Sequence, residues 1–379
     1  MKFLVLASAL AVAIAAEIPS LSPISSVQGK AFNRLVIIWN ENTDYDTNLK
    51  WLASHGITLS NYFAVTHPSQ PNYISSVAGD YFGLNNDDHL EIPANISTIV
   101  DLLEAKGISW GSYQEDMPYT GFLDDFPNPV TKANMYVRKH NPLVSFDSVA
   151  KNPERLGRIK NTTLFEADLR NRQLPQWLFI TPNMTSDGHD TSVTTAGEWT
   201  RGFIEPLMQN EYFMNDTLIL ITFDENHSYT SPNRLFTILM GGAVPNASHG
   251  TTDDNYYDHY SEISTVEANW GLSTLGRFDV GANVFSLVAN KTGDAVRTHP
   301  DISSVYLNES YPGVFNGGKK SSWAPMPMPN NTMEWEGRKV LDSVVKNSQG
   351  GSGETYYTTD LVIPDKAHPP VYKKVAGSG

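Results

Sequence analysis

The 379-residue sequence contains no cysteine. That absence excludes thiolate nucleophiles, disulfide scaffolds, cysteine-type structural zinc sites and iron–sulfur clusters. Any nucleophile must be a hydroxyl, carboxylate, amine or metal-bound water, and any metal must sit among oxygens and imidazoles. Positive charge is scarce too: 27 Lys and Arg stand against 41 Asp and Glu, a formal net charge of −14. Binding to a nucleic-acid backbone needs clustered basic residues, so no nucleic-acid partner is expected. Beyond the N-terminus no apolar run is long enough to span a bilayer, and no stable membrane anchor is expected. What is present is ordinary for a globular enzyme, 40% hydrophobic and 18% charged residues, and the length suits one large α/β unit.

Residues 1–16 read as a secretory signal peptide: Lys2, an apolar run over 3–13, then the small residues Ala13, Ala15 and Ala16 before Glu17. Nine Asn-x-Ser/Thr triplets, at Asn95, Asn161, Asn183, Asn215, Asn226, Asn246, Asn290, Asn308 and Asn330, fit the same extracellular route as glycosylation acceptors. A secreted chain without disulfides must be stabilised by its core, with bound metal as a helper.

Several apolar runs end in polar clusters. Residues 35–39 (LVIIW) lead into Asn40, Glu41 and Asn42; 108–113 into Gln114, Glu115 and Asp116; 177–181 (WLFIT) into Asn183, Asp187 and His189; 218–223 (LILITF) into Asp224, Glu225 and Asn226; and 235–240 into Gly241 and Gly242. Continuous runs of this length predict strands buried on both faces, as in a parallel sheet. Helical spacing appears at Leu49 and Leu52, at Ile99, Val100, Leu102 and Leu103, and at Ile263, Val266 and Trp270, the last with Ser261 as expected N-cap. Strands alternating with helices predict a doubly wound α/β/α sandwich with a mostly parallel central sheet. Ligands in such folds bind at the carboxyl ends of strands, where the acidic clusters fall. The catalytic domain is expected over residues 17–320. After that, prolines 325, 327 and 329, glycines 350, 351 and 353 and a Thr/Tyr-rich run at 356–363 predict an extension over 321–379 that packs on the core.

The segment THPSQPNYISSVAG, residues 66–79, carries most of the chemical information. Pro71 suits the first turn of a helix ending at Gly79, which places Ser69 just before the helix begins. The N–H groups and dipole there hold a phosphoryl group and favour an ionised hydroxyl, although Ser69 taken alone is more often simply a helix N-cap. Glu41-Asn42 and Asp224-Glu225 each follow a strand, so their oxygens can converge on one cation with Ser69 completing the shell. Asp187, His189 and His259, from separate loops, make a zinc-like set with an open position.

At these residues the chain resembles the phosphoesterase family of fungal secreted acid phosphatases and phospholipase C-like enzymes, within the alkaline phosphatase-like superfamily. The resemblance runs over roughly residues 34–285. It rests on NEN at 40–42, HPSQPNY at 67–73, YVRKHNP at 136–142, SDGHD at 186–190, FDEN at 223–226 and DHYS at 258–261. It implies an alkaline phosphatase-like fold that hydrolyses phosphate esters, with Ser69 as metal-activated nucleophile and Glu41, Asn42, Ser69, Asp224 and Glu225 at metal positions. Asp187, His189 and His259 then complete the ligand or phosphate set, while His140, with Arg138, contacts phosphate or protonates the leaving group. Asp224-Glu225 stands where many superfamily members have Asp-His, and that oxygen-rich set leaves Zn, Mg, Ca and Mn all open. The leading expectation is a secreted acid phosphatase acting on small monoesters through a phosphoserine. A phospholipase C-like or other phosphodiesterase is the alternative within the enzyme class, and an inert binding protein on the same fold the alternative outside it.

Overall fold

The computed structural model describes residues 18–41, 49–299, 301–317, 325–349, 351, 353–363, 365 and the backbone of 373–374. The expected signal peptide at 1–16, Asn42 and part of the C-terminal extension lie outside these residues.

An eight-stranded sheet forms the centre. Its strands are β1 (Arg34–Asn40), β2 (Ile57–Phe63), β3 (Trp110–Gln114), β4 (Ile159–Asn161), β5 (Trp177–Thr181), β6 (Thr217–Phe223), β7 (Ile238–Met240) and β8 (Thr251–Asp258). They lie in the order β8-β2-β7-β6-β1-β5-β3-β4. Only β7 runs antiparallel to its neighbours, so the other strands present their carboxyl ends at one edge. Every residue of β5 and β6 is buried, which is why both read as unbroken apolar runs.

Six helices matter to the site and its support: α1 (Leu49–Ala53), α2 (Ser69–Ala78), α3 (Ile99–Ala105), α4 (Thr162–Arg170), α5 (Val193–Leu207) and α6 (Tyr260–Trp270). Side-chain alternation along β1 separates them into two layers. Trp39 turns to one face, where its ring meets Tyr73 of α2 at 4.8 Å and His259 at 4.3 Å. Asn40 turns to the other, where Oδ1 accepts from Thr200 of α5. Phe165 of α4 packs on Phe203 of α5 in that second layer. The architecture is thus a sheet between two helical layers, as the alternation of strands and helices predicts. The three tryptophans 39, 110 and 177 are fully buried within it. At roughly 1.5–3 kcal/mol per large buried apolar side chain, such a core stabilises the chain without crosslinks.

Two helix starts differ from expectation. Ser69 is the first residue of α2 and not the residue before it; Pro68 holds the cap position and offers no side-chain hydrogen bond. Ser261 lies inside the first turn of α6, which starts at Tyr260 with His259 at the cap position; Asp258 Oδ1 accepts the Tyr260 N–H. The C-terminal segment meets the core at Asp80, just beyond α2. Its buried carboxylate accepts from the hydroxyls of Tyr311, Tyr356 and Tyr357.

Candidate active site

Parallel pairing builds the site. Asn40 of β1 is in register with Phe223 of β6, so the next residues, Glu41 and Asp224, leave the sheet side by side. Backbone bonds fix the exits: Asp224 N–H donates to Asn40 O at 3.0 Å, and Glu41 N–H to Asp187 O at 3.0 Å. Glu41, Asp187, Asp224 and Glu225 are all buried. Ser69 Oγ projects from the start of α2 between two of them, 3.2 Å from Glu41 Oε2 and 3.4 Å from Glu225 Oε1.

His140 closes the group from the opposite side. Its Nε2 lies 3.2 Å from Glu41 Oε1 and its Nδ1 3.7 Å from Asp187 Oδ2. One ligand atom each from Glu41, His140 and Asp187 lies within 4.8 Å of the others. Tyr73 stacks on the His140 ring at 5.0 Å and donates to Glu41 Oε1 at 2.6 Å. Burial, Lys139 and His189 hold the His140 imidazole well below its usual range, so the ring is neutral and carries a free lone pair.

Electrostatically the cluster asks for a cation. Burial first, then the Asp224 and Asp187 carboxylates, push Glu41 well above the usual carboxylate range. Burial followed by Asp224 and Asp87 does the same to Glu225, and burial is also the main cause at Asp187. Asp187 Oδ2 accepts no hydrogen bond among the described residues. Buried carboxylates with one neutral imidazole fit a divalent ion, and none of the donors is soft.

Other expected residues stand elsewhere. His259 is buried, but Nε2 lies 2.7 Å from the Asp224 carbonyl and Nδ1 3.2 Å from the Tyr62 hydroxyl, so neither ring nitrogen faces the carboxylates. It positions Asp224 and does not join the cluster. His189 is partly exposed, with Nδ1 2.9 Å from Asp190 Oδ1, while its N–H donates to Asp187 Oδ1 at 2.8 Å. Arg138 spends Nη2 on the Val144 carbonyl at 2.9 Å and lines a cavity beside the site.

From sequence alone no role falls to His67, Asn72 or Tyr73, and Lys139 stands out only as a neighbour of His140. His67, which reads as background, places Nδ1 2.8 Å from Glu225 Oε2 and Nε2 3.1 Å from Asn308 Oδ1. Asn308 donates Nδ2 to the Tyr229 and Ser231 carbonyls, so His67 Nε2 is the donor in that pair. Burial lowers the His67 ring to about 4. Asn72 ties the loop ahead of α2 by accepting from Val65 N–H and donating to Thr66 O. Lys139 donates to Asp87 at 2.8 Å; burial opposes its charge, but Glu41 and Asp87 outweigh it and raise the ammonium. Position in the 66–79 motif was the available signal for His67, Asn72 and Tyr73.

The sequence model of the phosphoesterase family matches residues 39–273. The chain belongs to this family. Among curated phosphoesterases, an acid phosphatase of Aspergillus fumigatus is 52% identical over 90% of this chain and 78% of its own. The phosphate-repressible acid phosphatase of Penicillium chrysogenum is 50% identical over 94% of this chain and 85% of its own. A phosphatidylinositol-3-phosphatase of Mycobacterium tuberculosis is 28% identical over 69% of this chain and 81% of its own. The matched family segment contains Ser69, His140, Asp187, Asp224, Glu225 and His259 and begins two residues before Glu41.

Proposed function

We propose that this chain is a secreted acid phosphatase that hydrolyses small phosphate monoesters, with Ser69 as nucleophile and a phosphoserine intermediate. The observation that carries the reading is the position of Ser69 Oγ, at the positive end of α2 and within hydrogen-bond reach of both Glu41 and Glu225. The acid phosphatase names of relatives at about half identity support the reaction class.

A divalent ion held by Glu41, Asp187, His140, Asp224 and Glu225 would supply a Lewis acid that lowers the serine pKa and offsets the carboxylate charge. Zinc, manganese, magnesium and calcium all suit oxygen-rich donors of this kind, and Asn42 follows Glu41 directly as a further oxygen donor. Ser69 Oγ attacks phosphorus, and its proton passes to the carboxylate it faces. The ester oxygen leaves opposite Oγ and takes a proton from solvent. The Ser69 N–H at the positive end of α2 and the Lys139 ammonium balance the charge on the phosphoryl oxygens. Water then cleaves the Ser69–phosphorus ester, restoring the hydroxyl and releasing phosphate. His140, neutral and wedged between two carboxylates, acts in this reading as a cation-holding group and not as a proton donor.

Ser69→Ala is expected to abolish phosphate release from monoesters at every pH with metal supplied. Its melting temperature should stay close to the parent, since one hydroxyl contributes about 1 kcal/mol. Near-parental turnover by this variant removes Ser69 from the role.

A further inference from the structure

A cavity of about 380 Å³ opens beside the site, and its lining includes Gln70, the residue after Ser69, with Asp87, Asp124, Arg138, Lys139 and His189. Its size is within the range of small-ligand sites. Gln70 follows Ser69 in α2 and is 1% exposed, yet neither its Nε2 nor its Oε1 has a hydrogen-bond partner. A buried amide left unpaired is costly and uncommon unless a ligand completes it. The surroundings keep this side chain in place. Asp87 Oδ1 accepts the Gln70 backbone N–H at 3.0 Å while Oδ2 accepts from Lys139, which locks the start of α2 to the cavity wall.

We propose that this cavity is the leaving-group subsite and that Gln70 selects neutral, hydroxyl-rich alcohols of the sugar or glycerol type. The inference rests on the phosphomonoesterase reading above. An in-line displacement drives the departing oxygen away from Ser69 Oγ and into adjacent space. A hydroxyl both donates and accepts, so a polyol satisfies Gln70 Oε1 and Nε2 together and donates to the carboxylates of Asp87 and Asp124. An ammonium group only donates and leaves Nε2 unpaired. An anionic leaving group meets four carboxylates, of Asp87, Asp88, Asp124 and Asp125, against the cations Lys139, already paired with Asp87, and Arg138, which donates to Val144 O. An aryl or alkyl group strands the amide.

The test compares glycerol 2-phosphate with 4-nitrophenyl phosphate, measuring kcat and KM for the parent, Gln70→Met and Gln70→Glu with saturating metal. Gln70→Met keeps the shape and removes the hydrogen bonds. It is expected to lower the ratio of kcat/KM, glycerol over aryl ester, by about three- to tenfold, one neutral hydrogen bond's worth, with the change in KM. Gln70→Glu keeps an acceptor and should fall between the two, which guards against a Met variant that does not fold. An unchanged ratio, or an equal loss on both esters, overturns the subsite. A parent enzyme that releases phosphate from neither ester overturns the reading beneath it as well, and so is told apart from failure of the subsite alone.

Discussion

Asp187 and His259 stand around the same acidic cluster but act on it differently. Asp187 presents Oδ2 to His140 inside the cluster, whereas His259 spends its ring on the Asp224 carbonyl behind it. Partners of this second kind orient ligands, and their loss typically costs 10–100-fold in metal affinity. If a divalent ion is held as proposed, His259→Leu should weaken its binding by about that factor without removing a ligand, as read by calorimetric titration of the metal-free protein. Parental affinity would show that Asp224 holds its place unaided. Glu41, Asp224 and Glu225 were legible because they stand at the ends of apolar runs, and Asp187 because it lies in the polar loop after the 177–181 run. The division of labour between His140, His189 and His259 was not, since a histidine beside an aspartate reads alike whether it ligates, caps or braces. His67 was missed for the converse reason: no neighbouring acid marks it in sequence, and its partners Glu225 and Asn308 arrive from distant segments.

Among the elements, α2 carries the most consequence per residue, and its end is as constrained as its beginning. Gly79 closes it with φ of 72°, its N–H donating to Ser75 O, and an added Cβ would meet Asp279 Oδ1 at 2.9 Å. Gly79→Ala should destabilise the protein by about 1–2 kcal/mol, measured by urea unfolding, because a side chain is strained in the left-handed region. The runs that became β1, β5 and β6 were readable as strands because both faces are buried. β2 and β8 escaped notice because ITLSNYF and TTDDNYYD break the apolar run with polar residues; β8 is an edge strand whose first half is largely exposed. The nine sequons also sort by their surroundings. Asn95, Asn215, Asn246 and Asn290 are exposed. Asn161, Asn183, Asn226, Asn308 and Asn330 instead spend Nδ2 on hydrogen bonds within the fold. Glycans are expected on the first four alone when the chain passes through a eukaryotic secretory route. Deglycosylation in heavy-oxygen water followed by peptide mapping reads this directly, and label at Asn226 would contradict it.

The whole molecule buries an unusual number of carboxyl groups away from the cluster. Burial raises Asp258 to about 6, and it also raises Asp80, Glu262, Glu267 and Asp279. A folded-state pKa above the unfolded one means that stability is fully present in acid and lost as pH climbs through the folded value. For Asp258 the loss falls between about 4 and 6 and is on the order of 3 kcal/mol. His67 and His140, both lowered by burial, act in the opposite sense over this range. The Asp258 share is therefore read by comparing melting temperatures of the parent and Asp258→Asn with metal held saturating. The parent should lose ground to the variant as pH rises from 4 to 7, and a difference independent of pH would refute the assignment. Composition alone showed the acidic excess and not where it sits, because depth is a property of the packed chain. One such group, Asp80, has a further consequence in the order of synthesis. Its three tyrosine partners lie 231, 276 and 277 residues later. A ribosome has delivered Ser69, Glu41, Asp187, Asp224, Glu225 and the whole eight-stranded sheet before Tyr356 and Tyr357 exist. The far end of the helix bearing Ser69 thus gains two of the three hydroxyls on Asp80 long after the helix itself is made, so a chain terminated before residue 356 holds Glu41, Ser69, Asp224 and Glu225 but lacks that part of the latch.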